Sequence, residues 1–192
     1  PATDPADVLD AVVAGERVLD QEEAVRNVAP FAGVDVEPLP GWVVSLGGRL
    51  DRYRFETTDG FLSDGDDSGD RSLSQLSPAV AISYRWRTAS LLYATYGTAF
   101  QTPTTVELSN RPDGSGGFNP DLDPESIVSY ELGARGTAMR QHLAYDVALY
   151  RMRVDDMLLP FQVDDVASEA IYYRNAGQTT SWGGEVALSA RL

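Results

Sequence analysis

The sequence predicts an all-β chain of about seven antiparallel meander strands, arranged as in a transmembrane β-barrel. Two observations lead to this fold class. Apolar and polar residues alternate along most of the chain with the period of two that is typical of strands. The connections between these segments alternate strictly between short and long, which predicts short turns on one rim and long loops on the other.

The composition excludes several classes of protein. The 192 residues include 29 acidic and 15 basic side chains, for a net charge of -14, which argues against nucleic-acid binding because nucleic acids select basic surfaces. The absence of cysteine excludes disulfides and thiolate metal sites, and no motif calls for a cofactor. No apolar run approaches the roughly 20 residues that a membrane-spanning helix needs.

The N-terminal part of the chain differs from the rest. Residues 1–25 are predicted as a loop or short helix, with a helical candidate at 5–13 that Asp4 caps and Pro5 opens. Alternation starts in residues 27–37, where Pro30 suits an edge strand or a bulge. Residues 38–41 read as a tight turn.

From Trp42 onward the alternation predicts one strand after another. The predicted strands cover 42–56, 76–87, 91–100, 128–135, 143–149 and 171–192. Long polar loops are expected at 57–71, 101–124 and 155–169, and short turns at 87–89 and 137–141.

The two faces of these strands differ in charge. The apolar face carries almost no mid-strand charge, whereas the opposite face carries Arg49, Asp51, Glu131, Arg135, Asp146, Glu185 and Arg191. Trp42, Tyr84 and Trp86 lie near short turns, where an interfacial aromatic girdle is expected. A soluble β-sandwich with one wet face gives the same alternation, so both interpretations remain open on the pattern alone.

Six ordered motifs carry a resemblance to a known family. They are G-G-R-L-D at 47–51, Y-A-T-Y-G at 93–97 with F-Q-T-P at 100–103, N-P-D-L-D-P-E at 119–125, Y-E-L-G at 130–133, V-D-D-M-L at 154–158, and N-A-G at 175–177 with G-E-V at 184–186. This series resembles the barrel of a TonB-dependent outer-membrane receptor. The resemblance assigns residues 26–192 to part of such a barrel, with the plug domain absent, and residues 1–25 carry none of the motifs. Because a barrel of this family has about 22 strands, the resemblance implies an antiparallel transmembrane β-barrel fragment in which about seven meander strands form an open, curved sheet.

The resemblance implies a function and a location. Members of this family import a scarce ligand, most often a ferric siderophore, across the outer membrane of Gram-negative bacteria, with energy from the TonB complex acting through the plug. The expected partners are the lipid bilayer, the ligand and TonB, and the chain is not expected to be an enzyme. From their position in loops, we predict ligand contacts for Phe100, Arg111, Phe118, Tyr172 and Tyr173. On the inner wall, Glu131 and Glu185 have Arg135, Arg191 or a plug as available partners, but a purely structural role as lumen charges is favoured because accessible ion pairs contribute little.

One loop has the spacing of oxygen ligands for calcium. Asp64, Asp66, Ser68 and Asp70 occupy alternate positions, but Gln75 stands where a calcium loop needs glutamate and no helices flank the segment. An acidic, glycine-rich loop is more often simply solvated. His142 is the sole histidine, which argues against a histidine metal site and against a catalytic triad.

Overall fold

The computed structural model describes residues 19–63, 65–109, 111–162 and 171–190. Within these ranges the strands are β1 (Gln21–Val28), β2 (Phe31–Val36), β3 (Trp42–Asp59), β4 (Gly69–Arg87), β5 (Ser90–Gln101), β6 (Glu125–Ala138), β7 (Leu143–Phe161) and β8 (Tyr172–Ala190). A short helix, α1 (Thr105–Ser109), lies between β5 and β6, and a 3-10 turn (Met139–Gln141) joins β6 to β7. All eight strands belong to one open antiparallel sheet, as the sequence predicts.

Two of the strands share one position in the sheet. β1 pairs with the second half of β3, and β2 pairs with its first half. The break between them falls at Pro30, which has no amide hydrogen but whose carbonyl oxygen accepts a 3.0 Å hydrogen bond from the Leu50 amide. The sheet order β1-β3-β4-β5-β6-β7-β8 therefore has seven positions, and the predicted edge-strand break is confirmed.

Several boundaries differ from the expected ones. Residues 21–25, expected as loop or short helix, belong to β1, where pairing with the long strand β3 replaces the missing apolar alternation. The helical candidate at 5–13 lies outside the described residues. β4 begins at Gly69 and β7 continues to Phe161, so both strands extend into segments that are expected to be loops. The five-residue helix α1 is a further difference.

The sheet presents two chemically distinct faces. One face, called here the outer face, exposes large apolar side chains, including Leu46, Leu50, Leu76, Val80, Leu132, Leu149, Val186 and Leu188. The inner face carries the predicted charged residues, except for Arg191, which lies outside the described residues. No second layer covers the outer face in the described part of the chain, so the β-sandwich alternative is wrong.

The connections separate by length, as predicted. Residues 37–41, 88–89 and 139–142 make short connections at one end of the sheet, the turn rim. Residues 60–68, 102–124 and 162–171 connect the strands at the other end, the loop rim. Near the turn rim the rings of Trp42 and Tyr84 stack with centroids 4.7 Å apart. No helix in the described ranges is long and apolar enough to cross a membrane.

Candidate functional site

The loop between β5 and β6 folds onto the inner face at the loop rim and forms a small apolar core. The buried residues of this core, called here the rim cluster, are Phe55, Leu73, Leu108, Phe118 and Leu122. Tyr53, Leu158 and Tyr173 pack against it. Two strands, α1 and the following loop each contribute to this cluster, so it joins the longest described loop to the barrel wall.

Helix α1 is short, and its ends are fixed by side chains. The carboxylate of Glu107 accepts hydrogen bonds from the backbone amide (2.7 Å) and hydroxyl (3.0 Å) of Thr104, which closes a reciprocal cap with the 3.3 Å bond from the Glu107 amide to the Thr104 hydroxyl. This cap directs Leu108 into the rim cluster, where it is 0% exposed. Full burial of a leucine contributes roughly 1.5–3 kcal/mol, so α1 is held by packing more than by its own propensity.

Arg71 on β4 connects the sheet to the loop backbone. Its guanidinium donates hydrogen bonds to the carbonyl oxygens of Asn119 and Leu122, and lies 3.5 Å from the Asp123 carboxylate. The amide of Asn119 in turn donates to the Leu108 carbonyl at 2.6 Å. A single cationic side chain therefore satisfies two carbonyl groups of a loop that has no ladder partners of its own.

Asn175 on β8 holds the other end of the same loop. Its side chain exchanges 2.8 Å hydrogen bonds with the amide and carbonyl of Asp123 and donates a 2.6 Å bond to the carbonyl of Asp156. Asp156 has a positive φ of 58° at the position where the β7–β8 register shifts. Asn175 therefore joins the loop, a β-bulge and the last described strand.

Glu125, the last residue of the N-P-D-L-D-P-E segment, lies near the same β-bulge. The carboxylate of Glu125 accepts a 2.7 Å hydrogen bond from the Leu158 amide, next to the same bulge. Sequence reasoning singles out this segment and the N-A-G motif without assigning them a role. In the structure both segments hold the loop in place. The signal in the sequence for this role is the presence of polar side chains next to prolines and next to the position of the bulge.

Two glycines allow the loops to approach closely. A Cβ atom on Gly69 would lie 2.9 Å from the Cα of Gly117, and Gly117 itself has a φ of 79°. A side chain at either position would separate the loop that precedes β4 from the loop that follows α1. These glycines therefore serve a close contact between the two segments.

The tip of the loop contains a polar turn. The carboxylate of Asp113 accepts hydrogen bonds from the hydroxyl (2.7 Å) and the amide (3.0 Å) of Ser115, and the Arg111 guanidinium lies 3.0 Å away. The hydrogen bonds from Ser115, with a smaller effect of Arg111, lower the pKa of Asp113 to about 2. The turn is thus held by a carboxylate that stays charged far below neutral pH.

The structure places the five predicted ligand-contact residues at the loop rim, but in different environments. Phe118 and Tyr172 are 6% and 7% exposed, and Phe118 packs against Phe55 within the rim cluster. Phe100 and Tyr173 are partly buried, the first against Tyr53 and the second against the rim cluster. Arg111 is partly exposed and donates to the Gly116 carbonyl at 3.3 Å. Their contacts in this structure are with the loop itself, and ligand binding by them stays a prediction.

The acidic loop between β3 and β4 is satisfied internally. Asp66 accepts a 2.9 Å bond from the Ser68 amide, and Asp59 accepts bonds from the amides of Phe61 and Asp67. Hydrogen bonds from Ser68 lower the pKa of Asp66. Asp70 lies in β4 and contacts Arg54 at 3.7 Å, whereas Asp64 is outside the described residues. No group of three metal-ligating side chains occurs in the described ranges, and the calcium site stays a prediction.

The inner face carries two polar networks below the rim cluster. Asp51, which is 2% exposed, accepts two 2.8 Å hydrogen bonds from Arg49 and one of 3.0 Å from Asn27 on the edge strand. Further along the sheet, the Tyr93 hydroxyl donates a 2.7 Å bond to Glu131. Both networks involve motif positions, and the first explains the G-G-R-L-D segment as a tie between β1 and β3.

Carboxylates dominate one part of the inner wall. Glu131, Asp146 and Glu185 line a common open cleft of about 360 Å³. The guanidinium carbon of Arg135 lies 5.5 Å from the centre of the Tyr93 ring, and Tyr93 also lines this cleft. Neither glutamate forms an ion pair with Arg135 in the described part of the chain, where Glu131 instead accepts a hydrogen bond from the Tyr93 hydroxyl.

A single open meander sheet with an apolar outer face, a charged inner face and loops folded inward at one rim is the geometry of part of an outer-membrane receptor barrel. The family model described as "TonB dependent receptor-like, beta-barrel" matches residues 2–192. The chain belongs to this family, and the predicted fold and outer-membrane location are confirmed. The match also includes residues 2–25, in which no family motif is evident.

Two sequence relatives are receptors from Pseudomonas putida. The chain is 28% identical over 150 residues to the ferric-pyoverdine BN7/BN8 receptor, an alignment that covers 77% of this chain and 17% of that protein. It is 26% identical over 115 residues to the ferric-pyoverdine 358 receptor, covering 58% of this chain and 13% of that protein. The chain therefore spans less than a fifth of the length of these relatives.

Solved structures share the fold at lower identity. The pyoverdine outer-membrane receptor FpvA from Pseudomonas aeruginosa aligns with a TM-score of 0.67 and 17% identity, over 92% of this chain and 24% of FpvA. The ferric-catecholate import receptor Fiu from Escherichia coli gives 0.67 and 17%, over 91% of this chain and 26% of Fiu. The copper transporter OprC gives 0.67 and 21%, over 88% of this chain and 26% of OprC.

Proposed function

We propose that this chain is part of a receptor that imports a ferric siderophore across the outer membrane. The observation that carries the proposal is the sequence relationship to two ferric-pyoverdine receptors, because the structural neighbours include proteins named for other ligands, copper among them. Within the siderophore class, a pyoverdine-like ferric complex is the first candidate. Transport rather than catalysis is proposed because these relatives are named as receptors and transporters.

The loop rim is the proposed contact surface for the ligand. Arg111 would pair with an anionic group of the ferric complex, and Phe100 and Tyr173 would contact its apolar or aromatic parts. Phe118 and Tyr172 are buried here, so they would contact the ligand only after the loop moves. A rearrangement of this kind would require the Arg71 and Asn175 contacts to open.

We also propose that the energy for import comes from the TonB complex, acting on a plug that the barrel surrounds. The inner-wall carboxylates Glu131, Asp146 and Glu185 would face that plug. Asp146 and Glu185 are exposed here and Glu131 is partly exposed, and none of the three forms an ion pair among the described residues. A plug that covers them would therefore favour basic residues on its facing surface, because charges that become buried need partners.

Ligand binding by the full-length receptor tests the proposal directly. Purified receptor is titrated with ferric pyoverdine, ferric citrate, a ferric catecholate, haem and cupric ion, and binding is followed by intrinsic fluorescence. We expect a ferric siderophore to bind most tightly, and selective binding of copper or haem would refute the assignment. Uptake of the bound complex in cells with and without TonB then tests the energy source separately.

A further inference from the structure

Arginine side chains follow the apolar stretch of the outer face on two separate strands. On β3 the outward residues Leu46 and Leu50 are followed by Arg52 and Arg54, and register pairing places Arg52 on the same face as Leu50. On β7 the outward residue Leu149 is followed by Arg151 and Arg153. The change from apolar to cationic occurs on the side toward the loop rim in both strands.

The two positions lie at similar heights above the turn rim. Arg52 follows Trp42, the first residue of β3, by ten positions, and Arg151 follows Leu143, the first residue of β7, by eight. With a rise of about 3.3 Å per residue and a tilt of about 40°, these separations correspond to heights of roughly 20–25 Å. An outward apolar band about 25 Å tall is typical of membrane barrels, so both arginines lie at its upper boundary.

The surroundings of Arg151 indicate the same depth. The register places it between Tyr130 on β6 and Trp182 on β8, on the outer face. Their exposed fractions are 52% for Tyr130 and 83% for Trp182. Exposed tyrosine and tryptophan are enriched where the hydrocarbon core meets the headgroups, because one end of each ring system is apolar and the other polar. The headgroup layer is therefore the environment of Arg151.

The charges at this level are not all neutralised within the chain. Arg54 pairs with Glu56 at 2.8 Å, and Arg153 pairs with Asp155 at 2.7 Å. Arg52 and Arg151 are exposed and form no ion pair among the described residues. All 15 basic residues of this acidic chain are arginines, whose planar fork of donors matches the oxygens of a phosphate group.

We propose that Arg52 and Arg151 bind the phosphate groups of anionic lipids in the membrane leaflet next to the loop rim. Three observations favour this occupant over a soluble ligand: both side chains point outward, they lie at the edge of the apolar band, and they form no ion pair with another described residue. The contact would fix the depth of the barrel and attach it to the surrounding lipid on two strands that are four positions apart in the sheet.

Lipid retention by the full-length receptor tests the proposal. The receptor, purified in a non-ionic detergent, is mixed with phosphatidic acid and phosphatidylcholine of identical acyl chains, and bound lipids are counted by native mass spectrometry. We expect a preference for phosphatidic acid that falls about fivefold in R52Q and in R151Q, and about thirtyfold in the double variant. R52K and R151K keep the charge but lose the fork, so they should lie between wild type and glutamine.

The control is R140Q, which removes the same charge at the turn rim. Retention of phosphatidic acid by R140Q should match wild type, and heat-modifiable migration should show that every variant forms a barrel. Equal retention by the double variant and wild type would overturn the proposal, as would an equal loss in R140Q. Displacement of the bound lipid by excess inorganic phosphate would identify a free-phosphate site and would also overturn it.

Discussion

Replacing Arg71 by methionine should release the β5–β6 loop from the barrel wall. Methionine fills similar space but cannot donate to the carbonyl oxygens of Asn119 and Leu122, which belong to residues that are 5% and 1% exposed. Hydrogen bonds to a charged donor contribute about 1.5–3 kcal/mol each. We take the lower value for each of the two hydrogen bonds, because water replaces part of the lost interaction. The free energy of loop docking then weakens by about 3 kcal/mol, and the population with an open loop rises on the order of a hundredfold.

Amide hydrogen exchange in the full-length receptor measures this opening locally, without unfolding the barrel. The reporters are the amides of Leu108 and Asn119, which donate to carbonyls within the docked loop at 3.0 and 2.6 Å. The matched control is Arg54→Met, which removes an exposed outer-face ion pair that contributes no more than about 1 kcal/mol. Unchanged exchange at both reporters in Arg71→Met would refute the assignment of Arg71 as the main tie between sheet and loop.

Three further predictions concern the same loop. Leu108→Ala removes a fully buried side chain and should weaken loop docking by about 2–5 kcal/mol, seen as faster amide exchange in α1, whereas exchange in β6 should not change. Gly69→Ala brings a Cβ within 2.9 Å of the facing loop and should increase protease cleavage between α1 and β6, and an unchanged cleavage rate would contradict the close contact. The pKa of Asp113 is about 2, below its ordinary value of 3.8, so its ordering effect is complete above about pH 4 and is lost as the pH falls toward 2. A spin label at Pro112 should become mobile over that window, and the Asp113→Asn variant should be mobile at all pH values.

The sheet could be predicted from the sequence because each barrel strand shows its own alternation of apolar and polar residues. The period-two pattern of Leu46, Leu50, Val80 and Leu132 fixes which face meets lipid, and the connection lengths fix which rim holds the loops. Where this pattern weakens, the prediction fails. β1 has no apolar face and is held by pairing with β3, so its first residues read as loop.

The loop rim was less predictable because its contacts join residues far apart in the chain. Arg71 and Asn119 are separated by 48 positions, and Asn175 and Asp123 by 52. No local pattern specifies such contacts. Asn119 and Asn175 both belong to sequence motifs, but the motifs do not indicate what these residues contact. The folded structure shows that both connect the β5–β6 loop to the barrel wall.

The same geometry changes how aromatic loop residues should be interpreted. The position of Phe118 and Tyr172 in loops predicts ligand contacts, yet both rings are buried against the chain itself. A long loop that folds into a barrel must bury apolar area to offset the entropy of ordering its backbone, and aromatic rings supply the most area per residue. In an inward-folded loop of this kind, aromatic residues therefore indicate loop packing first. We therefore expect Arg111, whose side chain stays 24% accessible at the loop tip, to be a better candidate for ligand contact than the two buried rings.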